Sequence, residues 1–143
     1  MIRNIRHTGI VVRDIDKAVR FYEGLGFSTW KREMENESYI DNIVGLKNAK
    51  IETAKLKSPC GGLLELLQYH SHPVENKINK QLSNKLGCSH IAFTVKNIDD
   101  VIEYIQDNGG SIVNLPETPS GDKVRVAYCH DTEGVLMEVV EEL

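Results

Sequence analysis

His7-Thr-Gly-Ile-Val-Val-Arg-Asp-Ile-Asp16 and His90-Ile-Ala-Phe-Thr-Val-Lys-Asn-Ile-Asp99 are two renderings of one pattern, set 83 residues apart. The register runs on without a gap: Val19 falls on Ile102, Tyr22 on Ile105 and Gly26 on Gly109. A second register, of 73 residues, holds further along, where Lys50 meets Lys123, Ala54 meets Ala127, Leu63 meets Leu136 and Glu65 meets Glu138. Self-similarity on this scale means one folding unit used twice. The offsets differ by ten, so the first copy carries about ten extra residues between Phe27 and Ala49, centred on Tyr39–Leu46 and expected to form one short helix over the sheet.

Each copy reads as β, α, then three β. The opening strands, 5–12 and 88–95, are rich in β-branched residues. Asp14 and Asn97 then stand where a side-chain oxygen can accept from the free N–H groups of a helix start. Apolar residues at 15, 18, 19 and 22, and at 98, 101, 102 and 105, make one helical stripe in each copy. Gly26 and Gly109 follow where a left-handed residue ends a helix. Strands are expected at 27–34, 49–57 and 62–69, and again at 111–116, 123–130 and 135–142, with hairpin turns at Pro59-Cys60-Gly61-Gly62 and Asp131-Thr132-Glu133-Gly134. The chain thus divides into module 1 (1–70), a polar and partly helical linker (71–87) and module 2 (88–143), within one α+β domain.

Strand alternation decides which side chains share a face. His7 shares one with Ile5, Gly9 and Val11, and His90 shares one with Cys88, Ala92 and Thr94. Ile10 and Val12, like Ile91, Phe93 and Val95, face the other way, toward the helix. Both histidines therefore look away from the helix, and each is followed on its own face by a small residue that leaves room for a ligand. Glu65 lies in Leu63-Leu64-Glu-Leu66-Leu67 and Glu138 in Leu136-Met137-Glu-Val139-Val140. A lone carboxylate in a mostly buried strand is costly unless a cation compensates it. Singly, a strand histidine reads as a hydrogen-bonded core residue and a strand glutamate as an edge residue. In duplicate and in register, His7, Glu65, His90 and Glu138 read as the ligands of one divalent cation (Zn, Ni, Co, Mn or Fe) held between two curved sheets. His70, His72 and His130, near strand ends, read as solvated. Tyr69, Thr94, Arg125 and Tyr128 are candidates for a pocket lining, with packing or surface roles as the plainer reading.

Bulk properties narrow the classes. The 143 residues are 41% hydrophobic and 27% charged, which describes an ordinary globular chain. Net charge is −4, from 17 basic and 21 acidic residues mixed along the chain, and no basic stripe offers itself to nucleic acid. No apolar stretch suits a signal peptide or a bilayer span, so neither secretion nor a membrane is expected. Cys60, Cys88 and Cys129 are odd in number and read as buried or half-buried reduced thiols of a cytoplasmic protein.

The segments His7-Thr-Gly-Ile-Val-Val-x-Asp, Leu64-Glu65-Leu66-Leu67, Ser89-His90-Ile-Ala-Phe-Thr-Val, Gln106-Asp-Asn-Gly-Gly110 and Asp131-Thr-Glu-Gly-Val-Leu-Met-Glu138 resemble the vicinal oxygen chelate superfamily. That superfamily includes glyoxalase I, methylmalonyl-CoA epimerase, extradiol dioxygenases, and the fosfomycin and bleomycin resistance proteins. The resemblance spans nearly the whole chain. It implies paired βαβββ modules forming an incompletely closed, eight-stranded mixed barrel with helices outside, a bound divalent metal and a homodimer. It places His7, Glu65, His90 and Glu138 on the His-Glu-His-Glu ligand order of glyoxalase I. Its chemistry is metal-assisted proton transfer next to a carbonyl of a small-molecule substrate, through an enediolate. Glu138 serves as base, by family analogy, and Glu65 is its symmetric counterpart. Two departures bear on the substrate: glutathione-dependent members usually have Arg and Asn where Val11 and Tyr69 stand here. Epimerases typically have Gln in place of Glu65, and their extra catalytic Glu falls near Leu46 or Lys47. Ring-cleaving dioxygenases use three protein ligands. A binding protein that sequesters a drug without chemistry is the rival from another class, and a purely structural metal is a third option.

Overall fold

In a computed structural model of the chain, residues 1–74, 77–121 and 123–143 are described. They form two compact units, Met1–Asn76 and Lys77–Leu143. Unit 1 runs β1 (Thr8–Val11), α1 (Ile15–Gly24), β2 (Ser28–Glu35), α2 (Ser38–Val44), β3 (Ile51–Lys57) and β4 (Leu63–Tyr69). Unit 2 runs β5 (Ile91–Val95), α3 (Ile98–Asp107), β6 (Ser111–Ile112), β7 (Val124–His130) and β8 (Leu136–Glu142). Each unit holds a four-stranded mixed sheet, in the orders β1-β4-β3-β2 and β5-β8-β7-β6. In both, the first strand lies parallel to the last and the other pairings are antiparallel. The βαβββ repeat read from the two registers is present strand for strand.

The helix starts follow the expected chemistry. The Asp14 side chain accepts from the Lys17 N–H, and that of Asn97 accepts from the Asp99 and Asp100 N–H groups. Gly26 and Gly109 adopt φ of +99° and +88°, which lets the chain leave each helix at little cost. Ile15, Ala18, Phe21 and Tyr22 are the buried residues of α1, so Phe21 takes the fully buried place expected of Val19. They cover one face of the first sheet, where Ala54, Leu56, Leu64 and Leu66 are buried. On α3 the buried residues Ile98, Ile102 and Ile105 meet the second sheet, where Ala127, Cys129, Met137 and Val139 are buried.

The inserted segment does form a short helix, α2, and it lies on the sheet face opposite α1. Its Ile40 joins Ala49 and Ile51 in a buried cluster flanked by Val44, Leu46, Leu67 and Tyr69. Leu67 and Tyr69 lie two and four residues beyond Glu65 on β4, and Ile51 pairs with Tyr69, so all share the face of Glu65 and α2 roofs part of it.

Several expectations are corrected. The opening strands begin at Thr8 and Ile91, so His7 and His90 stand just before the ladders rather than inside them. The strand expected at 111–116 is two residues long, because the chain bends at 113–114 just after the Val113 N–H donates to the Tyr128 carbonyl; Glu117 rejoins the sheet as an isolated bridge to Val126. The linker, read as partly helical, contains no helix among the described residues, and its residues 75 and 76 lie outside them. It runs as a strap over the β7–β8 turn: Gln81 N–H donates to the Gly134 carbonyl, and the Gln81 side chain donates to the Cys88 and Ser89 carbonyls. Those tertiary bonds outcompete a local helix. His130, read as solvated, is buried, and its Nε2 donates to the Gln81 carbonyl at 2.8 Å. All three cysteines are free. Only Cys129 is buried, since Cys60 sits in the β3–β4 turn and Cys88 just ahead of β5. Among the described residues no helix is long and apolar enough to cross a membrane.

Candidate metal centre

The parallel pairing of first and last strands sets the site geometry in each module. Gly9 lies opposite Glu65 in one ladder, and Ala92 lies opposite Glu138 in the other. Two residues before each small residue stands a histidine, on the same face. The result is a His–Glu pair in each module: His7 Nε2 to Glu65 Oε2 at 3.1 Å, and His90 Nε2 to Glu138 Oε2 at 3.2 Å. With no large side chain at Gly9 or Ala92, the strand beside each carboxylate puts no bulk of its own over the pair; in module 1 the side chain nearest the space above Gly9 is Leu67.

The carboxylates are less buried than their apolar neighbours in sequence imply. Their side chains keep 13% (Glu65) and 24% (Glu138) of their exposure, and the imidazoles 37% and 30%. Because both sheet faces alternate cleanly, the flanking leucines and valines turn partly into the helix-side core while the glutamates face the open side. The penalty expected for a core carboxylate is therefore reduced, and an imidazole already answers each one.

The donor set fits a divalent cation. One imidazole nitrogen and one carboxylate oxygen at adjacent octahedral positions, each about 2.1 Å from the ion, lie about 3.0 Å apart. Both pairs have that spacing. Nitrogen with hard oxygen suits Zn, Ni, Co, Mn or Fe. Among the described residues, no three His, Cys, Asp or Glu side chains gather into one group. What each module brings together by itself is one pair.

The two pairs differ in their surroundings. Tyr128 pairs with Glu138 across β7 and β8, and its ring meets His90 edge-on at 5.1 Å; Ser89 Oγ lies 3.2 Å from His90 Nδ1, a contact that orients the imidazole. At the matching place in module 1 stands Lys55, paired with Glu65 across β3 and β4, its Nζ 3.5 Å from Glu65 Oε1. Glu33 holds the same ammonium at 3.4 Å and is itself bound by Lys31 at 2.6 Å. Burial works against the Lys55 charge, but Glu33 and Glu65 outweigh it and hold the ammonium above its usual range. Sequence reading passed over Lys55, although the offset of 73 residues pairs it with Tyr128.

Of the other candidates, Thr94 is exposed on the face that carries His90. Arg125 is turned away from it: it forms a two-pronged ion pair with Asp99 on α3 and reaches Glu141 at 3.2 Å. Tyr69 is committed to the apolar cluster under α2. His70 is paired with Glu52 at 2.9 Å, and His72 Nδ1 lies 2.8 Å from Ser71 Oγ.

Two βαβββ modules, each presenting a His–Glu pair beside a small residue, define a class of duplicated α+β folds. Residues 4–139 match the glyoxalase/bleomycin resistance protein/dioxygenase superfamily, and the chain belongs to it. A lactoylglutathione lyase from Schizosaccharomyces pombe is 30% identical over 96% of this chain and 47% of the relative, so the chain spans about half its length. A probable lactoylglutathione lyase from Vibrio cholerae is 24% identical over 96% of this chain and 89% of that protein. Among solved structures, a glyoxalase family protein from Bacillus cereus superposes with a TM-score of 0.92 at 25% identity, covering 100% of this chain and 96% of that one. A glyoxalase I mutant from Zea mays superposes with a TM-score of 0.66 at 18% identity, covering 96% of this chain and 46% of that one.

Proposed function

We propose that the protein is a divalent-metal-dependent lyase or isomerase of the glyoxalase I kind, with His7, Glu65, His90 and Glu138 as the ligands of one cation. One pair comes from each module, and the two modules belong either to one chain or to two chains of a homodimer. The observation that carries the reading is the duplicated His–Glu pair, with N···O spacings of 3.1 and 3.2 Å beside Gly9 and Ala92. The names of the two curated relatives favour the same chemistry.

When bound, the cation supplies Lewis acidity toward two adjacent substrate oxygens. Glu138 takes the proton from the carbon beside the carbonyl, as general base. With an α-hydroxy carbonyl or hemithioacetal it returns the proton to the neighbouring carbon as acid; with an acyl thioester a proton is delivered to the same carbon from the opposite face, the side of Glu65. Glu65 is its counterpart in the first module. The substrate is an α-hydroxy carbonyl, a hemithioacetal or an acyl thioester. Val11 and Tyr69 stand where glutathione-dependent relatives usually carry Arg and Asn, so the thiol portion is not tied to glutathione. Tyr69, packed beneath α2, is not free to take over such a role.

The test is an assay of purified, metal-loaded protein against methylglyoxal adducts of several thiols and against acyl-CoA epimers, repeated after chelation. Turnover that is lost with the metal and restored by adding it back is expected. Tight binding of these compounds without turnover would move the protein to the drug-binding branch. A metal whose removal changes only stability would mark it as structural.

A further inference from the structure

Resting on that reading, we propose that Lys55 is a positioning residue that makes the two carboxylates of the metal centre unequal. It engages one oxygen of Glu65 and leaves Glu138 the carboxylate free to move.

The duplication supplies its own comparison. Glu65 and Glu138 are matched positions, and so are the residues across the ladder from them, Lys55 and Tyr128. In the first module Glu65 is held at both oxygens, Oε2 by the His7 imidazole at 3.1 Å and Oε1 by the Lys55 ammonium at 3.5 Å. In the second, the ion pair formed by Glu138 among the described residues is with His90 alone, and the cross-strand neighbour is an aromatic ring packed on that histidine. Lys55 is not a loose surface side chain. Glu33 anchors its ammonium from the opposite side, and the adjacent Lys31 braces Glu33 in turn. A lysine clamped between two carboxylates keeps its charge and its place.

Two consequences follow for a cation. Only the Oε2 atom of Glu65, the one already facing His7, is left to meet it, which restricts how that carboxylate binds. The fixed positive charge also opposes the cation. Removing the charge therefore tightens metal binding, whereas removing a mere packing element leaves it unchanged or weakens it.

The experiment is calorimetric titration of the metal-free full chain with Co(II), together with the visible absorption spectrum of the Co(II) form, for wild type, Lys55→Met, Lys55→Arg and Tyr128→Phe. Lys55→Met is expected to bind Co(II) about tenfold more tightly, because a unit charge a few ångströms from the ion is gone. Its absorption bands are expected to shift as both Glu65 oxygens become available. Lys55→Arg, which restores the charge, and Tyr128→Phe, which leaves module 1 intact, are expected to match wild type. Equal or weaker affinity in Lys55→Met, with an unchanged spectrum, overturns the proposal. Absence of a stoichiometric Co(II) site in wild type overturns the metal reading instead, so the two failures are told apart. Circular dichroism of each variant separates a folding defect from a site effect.

Discussion

If one cation takes ligands from both modules, then removing either histidine must abolish the same thermal stabilisation. Unfolding of a globular chain gains about 2.1 cal/mol/K per residue near 60 °C. For 143 residues that is about 0.30 kcal/mol/K, so each kcal/mol moves the midpoint by about 3 °C. A cation at a hundred times its dissociation constant, bound only by the folded state, adds about 2.7 kcal/mol, a rise of about 9 °C. Replacing a supporting group around a metal costs roughly 10–100-fold in affinity, and replacing a ligand costs at least the upper end of that range. At the same metal concentration a hundredfold weaker variant retains about 0.4 kcal/mol, or about 1 °C. His7→Ala and His90→Ala should each show this collapse by scanning fluorimetry with and without Ni(II) or Co(II). Their metal-free midpoints should stay within about 2 °C of wild type, because both imidazoles stand outside the ladders and are about one-third exposed. The two-module centre is refuted if either variant keeps the full metal-induced shift, since that pair would then be a bystander.

Two further outcomes can be checked. A variant lacking His7 and Glu65, mixed with one lacking His90 and Glu138, should regain a share of activity and metal binding if the centre is built across a homodimer, and should stay inactive if it is built within one chain; subunit exchange followed by assay decides. Burial pushes the Cys129 thiol up to about 11, so the folded state keeps its proton where an unfolded thiol has lost it. Stability therefore falls as pH rises from about 9 to about 11, by about 3 kcal/mol in all. Urea titrations at pH 8 to 10 should show the slope flattened in Cys129→Ala, and equal slopes for both proteins would show that Cys129 contributes nothing to it.

Much of the fold was legible because its information is local or periodic. Asp14 and Asn97 cap helices through their own side chains, Gly26 and Gly109 supply the left-handed exit, and strand alternation put Ile10 and Val12 on the buried side. What escaped is long-range. Nothing within residues 77–87 says that Gln81 is tied to Gly134 and His130 rather than to its own helical neighbours. His130 looked like a loop histidine, yet it closes a strand beneath that strap, and Gly134 is needed there since a Cβ would come within 2.8 Å of the Asn79 carbonyl. At the site, the repeat singled out His7, Glu65, His90 and Glu138 as matched positions, but the pairing of each His with its own Glu depends on the parallel first-to-last strand register, which is long-range and was not read from the sequence. Lys55 was missed because a lysine in a strand reads as a solvent-facing residue unless its cross-strand neighbour is known.

The internal repeat also separates what the proposed chelation requires from what packing tolerates. Each module ties the first turn of its helix to its sheet through an arginine, but by different routes. In module 1, Arg32 on β2 bridges Asp16 and Glu52 at 2.7 and 2.6 Å. In module 2, Arg125 on β7 bridges Asp99 and Glu141 at 2.8 and 3.2 Å. Glu52 and Arg125 occupy matched places with opposite charge, and Gln68, matched to Glu141, instead accepts from the Ile15 N–H at 2.9 Å. An ion pair that anchors a helix can be built from either side, because only the sum of charges and a contact distance matter. A metal ligand cannot be exchanged in that way, since the donor atom, its direction and the open space beside it are all fixed. On the helix side the two copies solve one problem with different residues. On the open side both copies keep His, a small residue and Glu in one register, the arrangement expected where the constraint is a shared ligand rather than packing.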